Sequence, residues 1–101
     1  MTEIKKIDDD TYELTKAFNY SDGYRIIIVS GCKKRNKLEV EVYITPILKG
    51  RQGYVVDKIC PDVEIVDTDI KIIDESVFSN YPGDVIIKIK EALKEFWLGT
   101  V

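Results

Sequence analysis

The run Tyr24-Arg25-Ile26-Ile27-Ile28-Val29 constrains the fold more than any other feature of this chain. In extended backbone, successive side chains point to opposite faces, so Ile26 and Ile28 take one face and Ile27 and Val29 the other. Both faces are apolar, and both must be covered. One helix covers one face of a small sheet; the second face needs another sheet, closure into a half-barrel, or a partner chain. Self-closure around Ile27 and Val29 and cover by a partner chain stay open alternatives, and on the second these two residues are interface candidates.

Around that run the period-two signal recurs. Tyr12, Leu14 and Phe18 share a face over Tyr12–Phe18, with Lys16 interrupting it. The tract 19–23 ends in Asp22-Gly23, which readily takes positive φ and predicts a turn into a strand over Tyr24–Ser30. Gly31–Lys37 reads as a polar loop. In Leu38–Thr45 the residues Leu38, Val40, Val42 and Ile44 face one way while Glu39, Glu41 and Tyr43 face the other. These three strands form an antiparallel meander, and Pro46 is expected to end the third. A loop over 49–53, a fourth strand over Tyr54–Ile59, and one or two more around Val63, Ile65, Ile70 and Ile72 follow. Ile4 and Ile7 suggest a short edge strand, ended by Asp8-Asp9-Asp10.

The periodicity changes after Pro82. At 100° per residue, Val85, Ile86, Ile89, Ala92, Leu93 and Phe96 fall on one stripe, which predicts a helix to Leu98. Pro82 suits its start, Asp84 its first turn, and Gly99 a left-handed cap at its end. Ile87 and Leu98 fall opposite the stripe, with Trp97 at its edge, and join Ile27 and Val29 as interface candidates. The predicted class is α+β: a curved antiparallel sheet of four to six strands with one C-terminal helix packed on it, a single domain over residues 1–101. Fifteen isoleucines against two alanines agree with that bias to strand.

The chemistry is limited by what is missing. There is no histidine, which removes Ser-His-Asp, Cys-His and histidine-ligated metal mechanisms together. Cys32 and Cys60 are expected to be buried and reduced, and with no apolar leader or membrane-length run the chain reads as cytoplasmic. No cofactor or metal site is expected, and the chain is read as no enzyme. A net charge of −3 argues against general affinity for nucleic acid or anionic membrane. That charge is divided: residues 31–58 carry seven basic and three acidic side chains, residues 59–84 one basic and seven acidic.

Three function classes compete. Non-catalytic binding of a protein partner comes first, in the manner of an inhibitor, antitoxin or immunity protein, with the chain acting as a homodimer. Nucleic-acid or nucleotide binding comes second, through a basic hairpin of Lys33, Lys34, Arg35 and Lys37, continued by Lys49 and Arg51. If the divided charge steers binding to any partner, reversal of Lys33, Lys34 and Arg35 to glutamate should leave folding nearly intact. The third rests on Pro61-Asp62 followed after six residues by Asp69-Ile70-Lys71. It resembles the P-D…(D/E)-x-K signature of a nuclease superfamily, which implies that Asp62 and Asp69 hold a divalent metal and Lys71 positions water.

Overall fold

The chain is described as a computed structural model over residues 2–19, 25–35, 37–48, 51–52, 57–66 and 69–100. The expected turn at Asp22-Gly23, the first half of the strand proposed over Tyr54–Ile59, and Lys49 lie outside those residues. The first four strands follow one another as a meander: β1 Thr2–Lys6, β2 Thr11–Asn19, β3 Arg25–Lys34 and β4 Lys37–Leu48. Two short strands then pair with β4, β5 (Arg51–Gln52) at its end and β6 (Asp57–Ile59) along its middle. A separate hairpin of β7 (Val63–Val66) and β8 (Asp69–Ile72), a 3-10 turn over Glu75–Phe78, and helix α1 (Gly83–Leu98) complete the α+β fold.

Register puts the alternating residues to use. Leu14 faces Gly31, Phe18 faces Ile27, and Val29 faces Val42, so the even positions of β2 and β4 and the odd positions of β3 share one side. That side packs against α1. Ile27, Val29 and Val42 are fully buried with Ile89, Ala92 and Phe96, and Phe78 from the 3-10 turn closes the same cluster. Ile27 and Val29 thus belong to the core, beneath the chain's own helix, and not to a face awaiting a partner. Ile26 and Ile28 look the other way and are half-buried. The stripe of α1 is buried as expected, at Val85, Ile89, Ala92, Leu93 and Phe96, together with Trp97.

Four local expectations fail for identifiable reasons. Of the polar stretch 31–37, residues 31–34 and 37 are strand: β3 continues to Lys34 and β4 begins at Lys37, because each of these residues finds a ladder partner whatever its polarity. The reversal falls between Lys34 and Lys37, and Arg35 takes φ 56°, a left-handed conformation that a non-glycine residue holds at some strain. Pro46 does not end β4. It occupies the last pairing position with β3, opposite Arg25, between the segments that pair β6 and β5, where at most one ladder bond is lost. Gly99 ends α1 with φ −77°, so no left-handed cap forms; a β-carbon there would collide with Ile4 Cδ1 and lie 3.1 Å from the Glu95 carbonyl. Its glycine serves close approach between the helix end and β1. Lastly, Cys32 and Cys60 are both exposed rather than buried.

Candidate functional site

Strand β6 and strand β7 run consecutively along β4, but pairing with β4 stops at Ile59. Cys60-Pro61 intervenes, Pro61 has no N–H to give, and β7 leaves the sheet to pair with β8 alone. The β7–β8 ladder is short and regular, from Val63 opposite Ile72 to Val66 opposite Asp69, and Ile73 N–H extends it to the Asp62 carbonyl at 3.0 Å. On one face Val63, Ile65, Ile70 and Ile72 reach the core cluster; on the other Glu64 and Lys71 stand opposite each other in the open.

The departure of this hairpin creates a cleft. Strand β8 has β7 on one side and, among the described residues, no strand on its other side; there it meets α1. The space between them measures about 430 Å³. Asp69, Ile70, Lys71 and Ile72 all line it in unbroken succession. Successive residues of a strand face opposite ways, so a run of four lining one wall means that β8 presents its edge there. The opposite wall is a helical stripe, Ile87, Lys90, Glu91 and Lys94, spaced three, four and seven apart, with Leu93 behind it. Ile87 is 58% exposed and Leu93 only 2%. Lys90 is tied across the rim to Glu75, and Asp74 fixes the turn carrying Glu75 by accepting the Ser76 N–H at 3.0 Å. Hydrogen bonds from the Ser76 side chain and then from its backbone N–H hold the Asp74 carboxyl below its ordinary value. An unpaired strand edge above apolar side chains, walled by a helix, is able to receive an extended segment by backbone pairing.

The basic hairpin is rearranged. Lys33 points to the core side of the sheet and is 5% exposed. Its Nζ donates to the Thr100 carbonyl at 2.9 Å and lies 4.2 Å from the centroid of the Trp97 ring. Burial pushes this ammonium below the ordinary lysine value. Arg35 approaches Asp10 at 3.5 Å, its backbone N–H donating to the Asp10 carbonyl. Lys34 and Lys37, opposite each other at the hairpin end, stay exposed, as does the Arg35 side chain beside Asp10. Lys49 and the Arg51 side chain lie outside the described residues. Among the interface candidates, Ile27 and Val29 are core, Trp97 is buried under Lys33, Leu98 is exposed at the helix end, and Ile87 alone enters the cleft.

The nuclease-like string is pulled apart by register. Asp62 stands opposite Ile73 and Asp69 opposite Val66, four ladder steps apart, or about 13 Å at the rise of a strand. Two carboxylates that far apart cannot share one ion. Among the described residues no three His, Cys, Asp or Glu side chains gather where a metal could be held. Cys32, next to Lys33 in sequence, has Glu13 and Glu39 as its cross-strand neighbours instead. On the same outer face Glu41, Tyr43 and Lys58 form a connected set: Tyr43 O–H donates to Glu41, and Lys58 Nζ reaches Glu41 at 3.2 Å. The Tyr43 hydrogen bond, followed by Lys58, lowers the Glu41 carboxyl, while Glu41 raises both Tyr43 and Lys58.

No helix among the described residues is long and apolar enough to cross a membrane. Compared with protein-family models, with curated proteins and with solved structures, the chain matches none.

Proposed function

We propose that this chain is a small non-catalytic binding protein, of the inhibitor-, antitoxin- or immunity-like kind, which captures an extended segment of a protein partner in the cleft between β8 and α1. The observation that carries this reading is the unbroken lining of one wall by Asp69–Ile72. Strand addition supplies affinity through main-chain hydrogen bonds, and alternate side chains of the added strand reach Ile70, Ile87 and Leu93 below. Charges of both signs on the rim, Asp69, Lys71, Glu91 and Lys94, select the sequence that fits.

The test is selection from a displayed library of random peptides, followed by hydrogen exchange. Enriched peptides should alternate apolar and polar residues, and their binding should protect amides of residues 69–72. Ile87→Glu should weaken binding at least tenfold without moving the melting temperature, because that side chain is already exposed. No enrichment, or equal binding by Ile87→Glu, overturns the assignment.

A further inference from the structure

The larger sheet carries a second edge without a strand partner among the described residues, and its sequence matches itself. Strand β1 pairs with β2 from Thr2 opposite Lys16 to Lys6 opposite Tyr12, and its outer side meets no strand among the described residues. Ile4 lies opposite Leu14, on the side of the sheet where α1 packs, yet is 40% exposed because it sits at the margin of the helix. Gly99 rests against it, and the neighbouring Leu98 is 58% exposed. Glu3 and Lys5 point to the opposite side of the sheet, one before and one after Ile4.

Lysine on an edge strand ordinarily prevents strand-to-strand association. Here the acidic residue two positions away changes the outcome. Two copies can join edge to edge about a twofold axis perpendicular to the sheet, which makes the two β1 strands antiparallel. Directly opposite residues of such a pair must point to the same side, so the axis has to pass through a residue facing its own copy. An axis at Glu3 sets Glu3 against Glu3, and an axis at Lys5 sets Lys5 against Lys5. An axis at Ile4 sets Ile4 against Ile4 and gives two Glu3–Lys5 pairs, one on each side of it. Only that register is electrostatically complementary.

The geometry points to homodimerisation through β1, centred on Ile4, with the sheet continuing from one copy into the other. The contact is charge-paired on the outer face; on the helix side it is apolar, with Ile4 of both copies at its centre. This association is independent of the cleft at β8, which belongs to the separate β7–β8 hairpin.

Charge exchange tests it by sedimentation. The wild type at micromolar concentration should sediment at about twice the 11.6 kDa chain mass. Glu3→Lys and Lys5→Glu should each, alone, weaken association about tenfold by setting like charges opposite. An equimolar mixture of the two variants should restore the dimer, since every cross-copy pair is then of opposite sign. A monomeric wild type, or single variants as dimeric as the wild type, overturns the proposal.

Lys5→Glu also sets a like charge opposite Glu13 and so loosens β1 within its own chain. A second experiment avoids that: Ile4→Cys with Cys32→Ser and Cys60→Ser. Residues facing each other across antiparallel strands lie about 4.5–5.5 Å apart at Cα, within disulfide reach. Mild oxidation should give a covalent dimer, and failure to cross-link excludes the Ile4-centred axis. Ile87→Glu should leave the dimer unchanged, so loss of peptide capture and loss of the dimer are read separately.

Discussion

Reversing the charge of Lys33 separates the structure from what its sequence neighbourhood suggests. In the chain it is followed by Lys34, Arg35 and Lys37, and a change to glutamate in such a run would ordinarily cost under about 0.5 kcal/mol. The fold places it elsewhere: 5% exposed, donating to the Thr100 carbonyl at 2.9 Å and lying over Trp97. Lys33→Glu removes a hydrogen bond from a charged donor, about 1.5–3 kcal/mol, and a cation–π contact of about 0.5–2 kcal/mol. It also turns a carboxylate toward a carbonyl oxygen and the negative face of a ring. An overall loss of about 2–5 kcal/mol is expected, a large share of the roughly 5–15 kcal/mol available to a domain of this size. Lys33→Met is expected to stay within about 1 kcal/mol of wild type, because the lost bond is offset by relief of ammonium desolvation. Thermal unfolding of Lys33→Glu, Lys33→Met and Lys34→Glu is the assay. Lys33→Glu should melt at least about 10 °C lower, with the other two near wild type. If Lys33→Glu and Lys34→Glu melt together, Lys33 is an ordinary surface cation and the placement is wrong.

Phe96→Ala should cost about 3–5 kcal/mol and Leu93→Ala about 2–5 kcal/mol, since both side chains are buried between helix and sheet; unchanged melting curves in both would refute the assigned stripe. Gly83→Ala should stabilise by about 0.4–1 kcal/mol, because an added β-carbon meets nothing within 4 Å and the unfolded chain loses freedom; a lower melting temperature refutes this. Arg35→Gly should stabilise by releasing left-handed strain, with only an exposed ion pair to lose, and a drop in midpoint denaturant concentration would count against it. Hydrogen bonds lower the Asp74 and Asp8 carboxyls in the folded chain, so both favour the fold above the ordinary carboxylate range and cease to do so as pH falls through their lowered values. Asp74→Ala should flatten that acid limb, and an identical pH dependence in the variant would show that Asp74 contributes nothing to it.

The alternation in Leu38–Thr45 and the stripe from Val85 to Phe96 were legible because each residue there obeys one period and one environment. Lys33 was not legible, since its long stem runs along the buried side while its ammonium reaches a carbonyl 67 residues later. Cys32 was misread for a related reason: its neighbours across the ladder are glutamates, while its neighbour in sequence points to the other face. Arg35 carries no turn signal by residue type, so the hairpin end was drawn five residues too wide. The cleft has no sequence signature either. It exists because the chain leaves the sheet at Cys60-Pro61, and which edge remains unpaired is decided by that departure and not by any residue of β8.

Chain order gives the helix one more role. Every strand that α1 covers is synthesised before it, and β4 ends at Leu48, 50 residues before the helix ends at Leu98. At about 5–20 residues per second, translation leaves the side of the sheet bearing Ile27, Val29 and Val42 without its cover for about 3–10 s. Hairpins with adjacent strands close far faster, so the meander is able to form while its apolar side still faces water. For that interval the nascent chain is a ribbon with one wet side and one sticky side. The arrival of α1 covers the sticky side, which makes synthesis of the helix the step at which aggregation and folding part company.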